Sequence, residues 1–250
     1  MIEGFISDSI VKRACAKRLA EIELINLRDF AIDDYGTVDD RPYGGGAGMV
    51  LRIEPICKAL QKLKVQNSKL KTTTKNLKLK TKIILTNPRG EVYNQEKAKE
   101  YSKLDHLIII AGHYEGVDER VMDYIDEEIS LGDFIMTGGE IASVAIVDSV
   151  IRLLSGVLKK EEAIQQESFF SVPIDILERV VGKNEILQKL KTKGVKAIKL
   201  LEYPHYTRPE EYDGKKVPEL LLSGDQKKIN DWRLRKAYQE TINKRQDLLK

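Results

Sequence analysis

The residues best suited to chemistry sit in short glycine-bearing turns. Thr86-Asn87-Pro88-Arg89-Gly90, Gly112-His113-Tyr114-Glu115-Gly116 and Gly132-Asp133, the last followed by a second turn at Thr137-Gly138-Gly139-Glu140, each come after an apolar run. Glycine lets backbone approach a ligand closely, and bare N–H and C=O groups can read the edges of a small molecule. Tight turning alone would also explain them. The stretch RPYGGGAGMV, residues 41–50, packs four glycines into five positions, Gly44 to Gly48. It is not a P-loop, because Met49 and Val50 stand where Lys and Ser or Thr would have to follow Gly48. It also misses the dinucleotide spacing, which from Gly44 would put the last glycine at Met49. With bulky Tyr43 and Met49 flanking a small centre, it predicts backbone packed closely against a ligand or against protein. Further on, Tyr203-Pro204-His205-Tyr206-Thr207-Arg208 mixes aromatic and basic groups that can stack bases and hold phosphate. Aromatics beside prolines serve a core equally well.

The elements that must position these turns read as α/β. Lys82 to Leu85, Leu107 to Ala111 and Glu128 to Leu131 are short runs, mostly apolar and β-branched, that suit strands of a parallel sheet covered on both faces. Helical stretches lie between and around them at Gln95 to Leu104, Asp118 to Tyr124 and Glu140 to Leu154, the last introduced by what resembles a capping box of Thr137 and Glu140. In an open parallel sheet, ligands bind beyond the carboxyl ends of the strands, where the three turns would converge.

Composition narrows the class. The chain has 250 residues, 42% hydrophobic and 32% charged, with a net charge of +3, which is an ordinary globular balance. No apolar run is long enough to span a bilayer, and the N-terminus lacks the charged start and apolar middle of a signal peptide. Cys15 and Cys57 are the only cysteines, too few for a disulfide framework or zinc cluster, so a cytoplasmic protein is expected. Gln61 to Lys82 carries eight lysines and no acid, a run that can follow a phosphate backbone or simply face solvent.

Taken together, VDDRPYGGGAGMVLRIEPI, LTNPRGEVYNQ, AGHYEGVDERV, LGDFIMTGGE, DSVIRLLSGVL and EYPHYTRPEEYDGKKVPELLLSGDQKKINDWR resemble the bacterial tRNA (guanine-N1)-methyltransferases across most of the chain. That family methylates guanosine 37, beside the anticodon, with S-adenosylmethionine. The resemblance implies a SPOUT-type α/β fold, a parallel sheet with a deep trefoil knot, a topology that periodicity alone would not propose. It implies a methyltransferase domain over 1–158, a linker with a helical insertion over 159–200, and a small helical tRNA-binding domain over 201–250. It implies a homodimer in which the partner chain completes each active site. By motif match the methyl donor's pocket would use Thr86, Asn87, Pro88, Gly112, Tyr114, Glu115, Leu131, Gly132, Asp133, Phe134, Ile135, Met136, Gly138 and Gly139. The tRNA would meet Tyr43, Gly45, His205, Tyr206 and Arg208. No metal-binding residues are implied, although a magnesium requirement is carried over as an expectation.

The resemblance also assigns the chemistry. Guanine N1 is protonated at neutral pH, so a carboxylate must remove that proton and a cation must steady the charge that spreads to O6. Arg152 would be the cation; read alone, it would be an i,i+4 partner of Asp148. Glu167 would be the base, standing where the family has aspartate, and its extra methylene would move the carboxylate. Two further departures appear. The chain begins at what resembles the methionine closing the family's first strand, so that strand is expected to be missing, and either the true start lies upstream or the chain is cut. The stretch Ser171 to Lys199 is longer than the family's short linker, with helical spacing at Ile174, Leu177, Val180 and Val181 and again at Ile186, Leu187 and Leu190. Its lysines 189, 191, 193 and 196 could meet RNA or solvent. Two rival readings are a SPOUT methyltransferase acting on a ribose hydroxyl and a tRNA-binding protein with weak or lost catalysis.

Overall fold

The computed structural model describes residues 2–70, 79–159 and 167–249. The chain divides into two compact units, Met1–Lys159 and Lys160–Lys250.

The first unit opens with helices α1 (Ile2–Ile6) and α2 (Ser9–Ala16). A two-residue hairpin pair follows, β1 (Asp39–Asp40) and β2 (Val50–Leu51), then α3 (Ile53–Leu70). Strand β3 (Thr81–Val92), α4 (Gln95–Tyr101), β4 (His106–Ala111), β5 (Glu127–Ser130) and α5 (Glu140–Ile151) complete it. The three main strands form a parallel sheet in the order β4-β3-β5, with β3 at the centre. This central place explains the unbroken apolar run: Ile83 faces a core made with Val38, Leu51, Ile56, Leu60 and Val121, while Ile84 faces one made with Tyr101, Ile129, Ile146 and Val150. Side chains alternate across a strand, so β3 needs apolar residues on consecutive positions to fill both layers.

Several expectations shift here. Residues 86–90 do not end β3; the strand continues to Val92, pairing β5 in two registers that break between Thr86 and Glu91. The expected turn is therefore an extended bulge inside one strand, which carries Asn87 and Pro88 out of the ladder. Residues 119–124 form a 3₁₀ turn (Glu119–Tyr124) capped by the Asp118 side chain, not an α-helix. The capping box at Thr137 and Glu140 does not form: Gly139 is the N-cap of α5 and makes no side-chain cap bond. Helix α5 ends at Ile151, ahead of the expected Leu154. Of the lysine run, residues 71–78 lie outside the described residues. Lys62 instead sits over the Phe30 ring at 5.4 Å, and Lys82 pairs with Glu100 and Glu127.

The second unit holds β6 (Phe170–Pro173), α6 (Ile174–Val181), α7 (Glu185–Thr192), β7 (Ala197–Leu200), the short pair β8 (Glu211–Tyr212) and β9 (Lys215–Lys216), α8 (Glu219–Leu222) and the long α9 (Gln226–Lys244). β6 and β7 pair antiparallel. Val172, Ile174, Leu177, Leu187, Leu190, Ile198 and Leu200 share one core with Ala237 and Tyr238 of α9. Residues 172–200 of the stretch read as a linker with a helical insertion are thus built into the second unit's core: their helical spacing buries Leu177 and Leu187 completely, and Asn184 ties them to α9 by accepting from the Tyr238 hydroxyl.

Candidate functional site

The bulge within β3 and the carboxyl ends of β4 and β5 open on one cavity of about 1280 Å³ in the first unit. Its walls come from the β1–β2 hairpin, the β3 bulge, the segment 112–120 after β4 and the segment 130–139 after β5. The glycines there have different physical reasons. Gly139 is pressed so tightly that an added Cβ would strike Thr86 Oγ1 and lie 2.8 Å from the Gly112 nitrogen. Its N–H donates to the Gly112 carbonyl at 2.7 Å. Buried Thr86 completes this junction, its hydroxyl donating to the Ile110 carbonyl at 3.2 Å and accepting from Gly112 N–H at 3.4 Å. Ser130 Oγ likewise brackets Gly132, donating to its carbonyl and accepting from its N–H. The segments after β4 and β5 are thereby joined by one backbone bond, and the Thr86 hydroxyl ties β3 to the segment after β4.

The RPYGGGAGMV segment is the hairpin loop between β1 and β2. Gly44, Gly45, Gly46 and Gly48 all have positive φ, between 81° and 123°. An added Cβ would meet nothing within 4 Å at Gly44 and Gly45, whereas at Gly48 it would come within 2.6 Å of the Glu115 side chain. The expected close packing therefore holds only at Gly48; the other three are glycines because the loop turns left-handed in open space. The loop is anchored by a hydrogen bond from Glu115 N–H to the Met49 carbonyl at 3.1 Å and by Leu51 N–H to Gly116 at 3.0 Å. Tyr43 at its tip is fully exposed and lines the cavity mouth.

Charges ring the cavity in matched pairs. Arg52 bonds Asp40 at 2.9 Å and Glu54 at 3.1 Å, Arg89 bonds Glu119 at 2.9 Å, and Arg120 makes a two-pronged contact with Asp118. The Arg120 guanidinium holds the Asp118 carboxyl below the usual carboxylate range. Asn87 donates to Glu128 at 2.5 Å, fixing the bulge against β5.

Of the residues that motif matching assigns to the methyl donor, all but Asp133 line this cavity. Asp133 is exposed at the apex of a turn closed by Phe134 N–H to the Gly132 carbonyl, which carries it away from the cavity wall. Of the substrate residues, Tyr43 lines the cavity and Gly45 does not. Arg152 directly follows α5, its N–H bonded to the Asp148 carbonyl at 3.2 Å, and is not among the lining residues. His113 lines the cavity although the motif match does not assign it a role. Its Nδ1 is buried without a hydrogen-bond partner among the described residues, its Nε2 lies 3.7 Å from Glu140, and its ring meets Tyr114 edge-on at 4.6 Å. The only advance signal for it was its place in the AGHYEG turn.

Glu167, His205, Tyr206 and Arg208 belong to the second unit. The turn after Glu167 is held by Glu202 N–H donating to Ser168 Oγ at 3.0 Å and Phe169 N–H donating to the Leu200 carbonyl at 2.7 Å. Phe169 itself is left-handed, at φ 74°. The aromatic-basic run splits its duties. Tyr203 packs on the unit's core and carries the Arg233 guanidinium 5.0 Å over its ring. His205 pairs with Glu202 at 2.9 Å and, with Tyr206, stays exposed.

No described helix is long and apolar enough to cross a membrane. The family model described as tRNA (Guanine-1)-methyltransferase TrmD matches residues 1–250. Similar proteins include a tRNA (guanine-N(1)-)-methyltransferase of Endomicrobium trichonymphae, 40% identical over 250 residues that make up 100% of this chain and 95% of that protein. One of the same name from Clostridium tetani is 45% identical over 247 residues, 99% of this chain and 87% of its own. A third, from Citrifermentans bemidjiense, is 44% identical over 250 residues, 100% of this chain and 85% of its own.

Proposed function

The chain belongs to the tRNA (guanine-1)-methyltransferase family, and from that premise we propose that it methylates N1 of guanosine 37 with S-adenosylmethionine held in the strand-end cavity. Methylation of a tRNA guanine at N1 is the family's activity and this chain's. The position in the tRNA, the donor's seat and the catalytic roles are our reading. The observation that carries it is the meeting of residues 86–88, 112–115 and 131–139 around one cavity.

The cavity fits the donor. Its volume exceeds the usual few hundred Å³ of a small-ligand pocket, which leaves room for a base beside the donor. Gly139 packs against Thr86 and Gly112 with no room for a Cβ, which draws these three segments together in the wall of the cavity. Bound there, S-adenosylmethionine supplies an electrophilic methyl on a sulfonium. The Gly139–Gly112–Thr86 junction also supports the knotted SPOUT arrangement, in which the chain passes tightly against its own loops.

The remaining chemistry belongs to side chains. Glu167 takes the proton from N1, and Arg152 steadies the negative charge on O6 as the N1 lone pair is released. The ordered turn at Ser168 and Phe169 restricts where the Glu167 carboxylate can point. His205, Tyr206 and Arg208 contact the tRNA. Among the described residues no group of three or more His, Cys, Asp or Glu is placed to hold a metal ion. Exposed Phe134 and Ile135 at the cavity, with exposed Ile141, support a homodimer.

The test is direct. Purified protein, S-adenosylmethionine and a tRNA transcript bearing guanosine 37 are incubated, and the digested nucleosides are analysed. The reading requires 1-methylguanosine that disappears when position 37 is changed to adenosine. Methylated ribose in its place would sink it.

A further inference from the structure

We propose that the lysine-bearing surface of α7 and the segments flanking it is a contact surface for the phosphate backbone of the tRNA. The proposal rests on the tRNA reading above and adds to it a surface built from the segment 170–200.

This segment carries seven basic residues, Arg179, Lys183, Lys189, Lys191, Lys193, Lys196 and Lys199, against three acids, Asp175, Glu178 and Glu185. Two of the acids are already committed: Lys191 bonds Asp175 at 2.7 Å and Glu178 at 2.6 Å. Only Glu185 is left facing the rest. The ammonium groups of Lys183, Lys189, Lys193 and Lys196 make no ion pair or hydrogen bond among the described residues, and all four side chains are exposed. Lys183 and Lys189 flank one groove of about 430 Å³ with Asn184, Glu185 and Gln188. Lys193 follows Lys189 by one helical turn, on the same face.

The helix cannot rotate to hide this row. Its opposite face buries Leu187 and Leu190 in the core. Asn184 caps Leu187 N–H at 3.0 Å and accepts from the Tyr238 hydroxyl at 3.1 Å, which fixes α7 to α9. Lys183 stands just before α7, Lys189 within it, Lys193 at its C-cap and Lys196 just before β7, and a polyanion relieves the mutual repulsion of such uncompensated cations. The row contains no aromatic group and no arginine. Flexible lysine point charges suit a backbone followed without reading its bases.

The test replaces all four lysines in the full chain, Lys183→Gln, Lys189→Gln, Lys193→Gln and Lys196→Gln. A control removes the same charge from exposed lysines of the first unit, Lys12→Gln, Lys17→Gln, Lys58→Gln and Lys103→Gln. Expected for the α7 variant are a tRNA KM or Kd raised about tenfold at low salt and a log K against log salt slope shallower by roughly 3. Its kcat at saturating tRNA and its affinity for S-adenosylmethionine stay unchanged. An unchanged tRNA affinity and slope overturns the proposal, as does an equal loss in the control. Loss of binding to anionic phospholipid vesicles with tRNA affinity intact overturns it in favour of a lipid surface. Direct tRNA binding is measured independently of turnover, so a wild-type chain that binds tRNA but makes no 1-methylguanosine would refute the catalytic reading and leave this one standing.

Discussion

At the scale of single residues, the proposed chemistry makes Glu167 the most informative position. Glu167→Gln keeps the shape and removes the base, so kcat should fall at least about a hundredfold with little change in tRNA affinity, measured by single-turnover kinetics. Glu167→Asp keeps the carboxylate and shortens its reach by one methylene; activity within about tenfold of wild type would show that the carboxylate, and not its reach, is decisive. Gly139 tests the cavity. The Cβ of Gly139→Ala has no room beside Thr86 and Gly112, so S-adenosylmethionine affinity by calorimetry should fall tenfold or more, with about 1–3 kcal/mol of destabilisation from overpacking. Gly45 separates shape from contact. Its φ of 81° strains valine but is tolerable for asparagine, and the side chain would enter open space. Gly45→Asn should fold like wild type, and lost methylation in that variant would place the loop against substrate. The cavity wall was legible in the sequence because glycine-bearing segments after successive apolar runs leave a compositional trace, although the first of them is a bulge within β3 and not a strand end. The orphaned Nδ1 of His113 and the outward Asp133 were not, because both depend on which way a turn's side chains point.

At the scale of elements, the amino end of the sheet is held by charge. Glu127 at the start of β5 accepts from Lys97 and the Tyr101 hydroxyl, each at 2.6 Å, and pairs with Lys82 at 3.0 Å. Burial alone would raise the Glu127 carboxyl, but these three donors overcome it and hold it down at about 2. A carboxyl held below its ordinary 4.5 contributes stability that is present above that value and is lost as pH falls towards 2. The contribution is on the order of 3 kcal/mol. Lys97, raised to about 12 chiefly by its Glu127 bond, works in the opposite sense, its share fading only as pH rises through 12. Thermal melts between pH 6 and pH 3 should therefore show a steep acid limb, and Glu127→Gln should both lower the melting point at neutral pH and flatten that limb. An unflattened limb would assign the acid sensitivity to other carboxylates. The sheet was readable because unbroken β-branched runs mark strands covered on both faces. The continuation of β3 through Thr86–Gly90 was not: Asn, Pro and Gly in succession carry turn preferences, and only the pairing with β5 on both sides of the bulge overrides them. The helices of 174–192 were visible by spacing, but their membership in the second unit's core depends on α9, some fifty residues on, and no local pattern encodes that.

At the scale of the whole molecule, the proposal of a homodimer concerns apolar surface that the chain alone leaves in water. Ile135 is 82% exposed, and Phe134 and Ile141 are each about half exposed, while the unit's interior is filled by well-buried aliphatic residues. Exposed apolar groups that lie together mark contact sites more often than chance placement does. The same segment, 134–136, lines the cavity, so a partner covering it would also close the site. A closed two-fold pairing uses the same patch on both copies, which makes it sensitive to one substitution twice over. Ile135→Asp should convert a dimer in sedimentation velocity at micromolar concentration into a monomer, with the circular dichroism spectrum unchanged. For the wild type, specific activity should fall on dilution through the dimer's dissociation constant, because each site would lose a wall supplied by the other copy. If Ile135→Asp sediments as the wild type does, this face is not the interface, and the exposed residues are then the rim of the cavity alone.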